Sequence, residues 1–144
     1  MPESNAVLAK RWFDEVWNRR LDATVQELFH HEGVGHLEGR DVRGPAEFLP
    51  VRAALLDAFP DLRVIVDATV SEGTDVVVRW SATGTHRGGG LGIPASQRPA
   101  SFRGVTWLRF ADGKIVEGWD SWNLGRLFQE LAAPAKPAGA SGAA

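Results

Sequence analysis

The sequence predicts an α+β domain with its helices and its sheet segregated along the chain. Three observations predict it. Apolar residues recur at helical spacing from Leu8 to Phe59, they alternate with period two from Leu62 to Trp122, and the two textures meet once, at Phe59-Pro60-Asp61. A βαβ protein would interleave them. At 144 residues the chain fits one domain with a single core.

Ser4 precedes Asn5 to Asn18, where Leu8, Trp12, Phe13, Val16 and Trp17 share a face, so one long amphipathic helix capped by Ser4 is expected. Asn18-Arg19-Arg20 breaks the pattern, and Asp22 stands where it can cap a short second helix carrying Val25, Leu28 and Phe29. His31 to Glu38, punctuated by glycine, reads as a short strand or irregular segment. Gly44-Pro45 opens a third helix through Phe48, Val51, Leu55, Leu56 and Phe59.

Val64, Val66, Ala68 and Val70 then alternate, and Glu72-Gly73-Thr74-Asp75 turns the chain into Val76-Val77-Val78-Arg79-Trp80, two antiparallel strands. His86 to Gln97, with Gly88-Gly89-Gly90-Leu91-Gly92 and Pro94, is a loop over the sheet rim. Lacking the Lys-Ser/Thr of a phosphate loop, it reads as a flexible lid. Phe102 to Phe110 and Lys114 to Trp122 pair through Ala111-Asp112-Gly113, and Leu124 to Leu131 adds one or two helical turns. Residues 132–144 hold only Ala, Pro, Gly, Ser and one Lys, a composition expected of a disordered tail, which leaves 1–131 as the domain.

Composition narrows the function. Hydrophobic residues at 44% and charged residues at 24% are those of a folded globular chain. With 16 Lys plus Arg against 18 Asp plus Glu and no basic block, nucleic acid is not an expected partner. No apolar run reaches the ~18 residues of a membrane span or the form of a signal peptide, so neither membrane insertion nor export is expected. The absence of cysteine removes disulfides, thiolate metal sites and a cysteine nucleophile, and fits a reducing cytoplasm.

Among residues able to do chemistry, Asp120 stands between Trp119 and Trp122, where desolvation would raise its pKa toward that of a general base. Pairing across Asp112-Gly113 sets Thr106 opposite Asp120, on a face expected to carry Leu108, Phe110 and Val116 as well. The bland alternative is a strand-end aspartate in solvent or capping the next helix. His86, at a strand end beside the glycine loop, could donate a proton or polarise a carbonyl; otherwise it is a rim histidine. Arg79 and Trp80 face opposite ways, and Trp80 is assigned to the pocket, with Arg79 either binding an acidic ligand group or, the favoured role, joining a carboxylate in an interface ion pair. His30, His31, His36 and Glu38 lack the i,i+4 spacing of a helical zinc motif, so no metal is expected, although His36 could reach a pocket. Trp12, Phe13, Trp17, Phe48 and Phe59 are core aromatics, some with a ring free to stack on a planar ligand. Asn123 is either a helix cap or a ligand contact.

Phe59-Pro60-Asp61-Leu62, Glu72-Gly73, Val77-Val78-Arg79-Trp80, Gly84-Thr85-His86, Gly92-Ile93-Pro94 and the run from Arg109-Phe110 through Asp112-Gly113-Lys114-Ile115-Val116-Glu117 to Trp119-Asp120, at their mutual spacing, resemble the SnoaL-like polyketide cyclase family from about Asn5 to Leu131. The resemblance implies an NTF2-like cone: three helices on a strongly curved antiparallel or mixed sheet, with a short C-terminal helix. It further implies a homodimer packed sheet to sheet, and cofactor-free acid/base closure of a ring by intramolecular aldol reaction on a hydrophobic or aromatic substrate. Asp120 matches the family's catalytic aspartate, with His86 as auxiliary donor. Trp12, His36, Phe48, Trp80, Thr106, Trp122 and Asn123 are the expected substrate contacts. Asn123 departs from the second acidic residue that many relatives carry there. Isomerases, dehydratases, hydrolases, hydroxylases and non-catalytic binding proteins share the cone, and remain the alternatives.

Overall fold

The computed structural model describes residues 3–133, so the expected tail lies outside the described residues except for Ala132 and Ala133. Helix α1 (Asn5–Arg11) starts as expected at Ser4, whose hydroxyl accepts the Val7 N–H at 3.2 Å. The long α-helix predicted beyond it does not form. Trp12–Asn18 is π-helical, and ends where the Arg19 N–H reaches the Asp14 carbonyl at 2.9 Å. A tertiary contact explains the change: the Asn18 side chain donates to the Val64 carbonyl and accepts from the Val64 N–H, both at 2.8 Å, acting as a substitute strand partner. An i→i+5 period also brings Trp12 and Trp17 to the same side.

Asp22 does not cap α2 (Asp22–Leu28); it lies inside the helix, and its carboxylate pairs with the buried Arg52. Arg52 also donates to the Val16 carbonyl at 3.2 Å, tying helix α3 (Gly44–Ala58) to the π segment.

The strands are β1 (Phe29–Leu37), β2 (Arg40–Arg43), β3 (Arg63–Glu72), β4 (Asp75–Thr85), β5 (Pro99–Ala111) and β6 (Lys114–Trp122), followed by α4 (Leu124–Ala132). They form one sheet in the order β2-β1-β6-β5-β4-β3, with β1 parallel to β6 and every other pair antiparallel. Register shifts in β1, β3 and β5–β6 bend the strands, and the helices cover the concave face. The shift between Arg109 and Phe110 corrects one expectation: Phe110 pairs with Ile115, so Ile115 rather than Val116 faces inward beside Leu108.

Candidate active site

The concave face closes on a cavity of about 350 Å³, within the range of small-molecule sites. Three elements supply its aromatic wall: Trp12, Phe13 and Trp17 from the π segment, Phe48 from α3, and Trp80, Phe102 and Trp122 from the sheet. Phe102 and Trp122 stack with centroids 5.1 Å apart, and Trp12 lies 5.2 Å from Phe48. These pairs hold the rings in place and leave flat apolar surface toward the space between them.

Asp120 is on this wall. The β5–β6 register beyond the shift at Arg109 and Phe110 pairs it with Thr106, the expected partner, and the Thr106 hydroxyl donates to Asp120 Oδ1 at 2.7 Å. Thr106 in turn accepts from Trp80 Nε1–H at 3.0 Å. Asp120 is half-buried and lines the cavity. Burial is the largest influence on its pKa and pushes it up to about 6, opposed by the Thr106 hydrogen bond and assisted by the charge of Glu38. Glu38 is the cavity carboxylate that the sequence reading missed. It sits at the β1–β2 turn, accepts the Trp122 N–H at 2.9 Å, and shares the wall with Arg40, the one cation of the lining among the described residues. The signal was available: alternation through Gly35 and Leu37 aims β1 inward up to the turn that presents Glu38.

Trp12, Phe48, Trp80, Thr106 and Trp122 therefore meet around Asp120, whereas three expected site residues do not. His86 is wholly buried beneath the 86–98 loop against Phe59. Its Nδ1 accepts the Ser96 N–H at 3.2 Å, so the imidazole holds the loop and has no line to Asp120. His36 faces the opposite side of β1 from Gly35 and Leu37. It bonds Glu117 at 2.7 Å and Asp41 at 3.1 Å, stacks on Trp119, and is held above its ordinary pKa chiefly by Glu117. Asn123 caps α4, accepting the Arg126 N–H at 2.8 Å. Arg79 is exposed on the outer face, with no ion pair among the described residues. His30, His31 and Glu32 approach one another at the surface, outside the cavity.

The glycine loop is fastened along α3. Arg87 and Gly88 donate to the last-turn carbonyl of Ala58, and a Cβ on Gly88 or Gly90 would run into the Asp57 or Ala54 carbonyl. Leu91 reaches the cavity wall from it.

This cone, with a desolvated carboxylate in an apolar cavity, is an α+β domain of the NTF2 and ketosteroid isomerase fold. The model of the SnoaL-like polyketide cyclase family matches residues 7–131, and the chain belongs to that family. Among solved structures, a provisionally named SnoaL-like polyketide cyclase from Jannaschia sp. CCS1 is 26% identical with a TM-score of 0.84, covering 94% of this chain and 99% of that one. AclR from Streptomyces galilaeus, provisionally a hydroxylase, is 29% identical with a TM-score of 0.78, covering 96% and 88%. A protein of ketosteroid isomerase-like fold from Catenulispora acidiphila, at 16% identity and a TM-score of 0.73 over 90% and 97%, shares the fold. Among curated proteins none matches the chain.

Proposed function

We propose that the protein closes a ring in a bulky hydrophobic or aromatic polycarbonyl substrate by an intramolecular aldol reaction, with Asp120 as the general base and then the general acid. The observation that carries this reading is the Asp120 carboxyl, held near 6 inside a cavity walled by aromatic rings. A carboxylate of that basicity removes a proton from a methylene flanked by two carbonyls, whose acidity makes one positioned base sufficient. The enolate carbon bonds to a second carbonyl carbon of the same molecule. The displaced π pair leaves an alkoxide on that oxygen, and protonated Asp120 returns the proton. Holding the chain folded between Trp12, Phe48 and Trp122 supplies proximity. His86 takes no part, being sealed under its loop.

The reading places the protein in secondary metabolism, in the reducing cytoplasm that its lack of cysteine suits, and pairs it with a second copy sheet to sheet. The outer face supports the pairing: Trp107, Val105 and Ile65 are 46, 40 and 54% exposed there, beside Trp119 under the Arg109 guanidinium.

The test uses the first half-reaction alone. In heavy water, an aromatic 1,3-dicarbonyl probe should exchange its central protons faster with the protein, and Asp120→Asn should lower that acceleration ~10²–10⁴-fold. Acceleration that survives Asp120→Asn contradicts the assignment. The neighbour named as a hydroxylase carries a second reading, in which Asp120 takes a proton from a reduced, electron-rich aromatic substrate whose carbanion bonds to molecular oxygen, one oxygen atom staying on the substrate and the other leaving as water at the expense of an external two-electron reductant. A product heavier by one oxygen atom would select it.

A further inference from the structure

We propose that Trp80 and Thr106 are positioning residues, a one-way hydrogen-bond relay that occupies Oδ1 of Asp120 and leaves Oδ2 as the oxygen that works as the base.

Hydrogen-bond chemistry sets the direction of the relay. An indole N–H donates and cannot accept, so at 3.0 Å the Thr106 oxygen must be the acceptor from Trp80. A threonine hydroxyl has one hydrogen, and with Trp80 on its oxygen that hydrogen lies on the Asp120 side, donated to Oδ1 at 2.7 Å. The opposite polarity, with Asp120 donating to Thr106 and Thr106 to Trp80, has no acceptor at its far end. Thr106 is thereby committed: it neither donates to a substrate carbonyl nor takes the proton from Asp120. This replaces its expected role as a substrate contact. Oδ2 has no donor among the described residues, and Asp120 itself lines the cavity.

The sheet is shaped to hold this arrangement. Trp80 is buried, with Phe102 and Trp122 edge-on at 6.1 Å each and Phe13 at 6.5 Å, so its ring has little freedom. It reaches Thr106 by crossing β5 over Gly104, where a Cβ would stand 2.7 Å from Trp80 Cζ2 and 2.7 Å from Trp122 Cβ. The missing side chain is the notch the indole occupies. Without the indole, the Thr106 hydroxyl could rotate toward other acceptors and Asp120 would lose its only side-chain donor among the described residues.

The inference rests on Asp120 being the acid/base group, and the test separates the two. The indole N–H resonances of the uniformly labelled protein are followed by NMR while the Asp120 carboxyl titrates, with Asp120→Asn as the control. In the native protein the Trp80 indole N–H should shift with the Asp120 midpoint. The isosteric Thr106→Val should abolish that shift and move the Asp120 pKa upward, while Thr106→Ser should restore both. Trp80→Phe should raise the Asp120 pKa by less than Thr106→Val does. A Trp80 indole that ignores the titration in the native protein, or follows it equally in Thr106→Val, overturns the relay, and the native measurement decides even if a variant fails to fold. Asp120 titrating at its ordinary value overturns the proposed function instead.

Discussion

Replacing Asp120 by Asn should stabilise the folded protein at neutral pH while leaving it near or slightly below the native stability in acid. The carboxyl moves from an ordinary 3.8 to about 6 on folding, because burial penalises its charge. An acid whose folded pKa is raised is neutral in both states below its unfolded value, and there it costs nothing. As pH climbs through the window from 3.8 to about 6 the unfolded chain ionises first, and folding must then pay to keep the proton or bury the charge. Above the window the cost is complete, at roughly two pKa units or ~3 kcal/mol. Asn carries no charge at any pH and keeps an oxygen for the Thr106 hydroxyl, although its unpartnered amide N–H groups cost about 1 kcal/mol at every pH. The stability difference between variant and native protein should therefore change by ~3 kcal/mol in favour of the variant between about pH 3 and about pH 7.5. Urea titrations followed by tryptophan fluorescence measure it directly. Asp61, Asp75 and Glu15 have lowered pKa values and tilt stability the other way, but they are common to both proteins and cancel in the difference. A difference that stays flat with pH would refute the reasoning.

Three further outcomes follow from the geometry. His86→Ala should lower stability by roughly 2–4 kcal/mol in urea titrations, through a buried void and the lost Ser96 bond, while the Asp120 titration midpoint stays in place. Gly90→Ala drives a methyl into the Ala54 carbonyl, so a crystal structure should show the loop moved off α3, with a stability loss of about 1–3 kcal/mol. His36 sits above its ordinary pKa through Glu117, so its contribution is full below the unfolded value and fades as pH rises through the folded one; His36→Gln should remove that slope from the urea midpoint against pH.

The order of elements was legible because each lies in the sequence as its own periodicity, and the Asp112-Gly113 turn announced the β5–β6 hairpin, although it is the shift between Arg109 and Phe110 that sets Thr106 against Asp120. What escaped depends on distant partners. The π segment answers to Val64, 46 residues from Asn18. Strand β2 has four residues and one buried apolar side chain, Val42, and is stabilised by pairing with β1. The parallel β1–β6 pair joins strands far apart in the chain and has no local signature. A single bulge exchanged Val116 for Ile115. His86 failed as a site residue for a related reason. Asp61 grips the Thr85 N–H and hydroxyl at 2.7 and 2.8 Å where β4 ends, and the chain then carries the imidazole under its loop rather than into the cavity. Glu38, read only as part of a weak metal cluster, belongs to the cavity through the β1–β2 turn, to which the alternation of Gly35 and Leu37 already pointed.

The central claim is that this cavity holds a carboxyl poised to exchange protons near neutral pH. Its most direct test is the titration of the Asp120 carboxyl carbon by NMR, assigned with Asp120→Asn. The account predicts a midpoint of about 6; a midpoint at or below 3.8 would contradict it and leave the cavity a place to bind small molecules without reacting them.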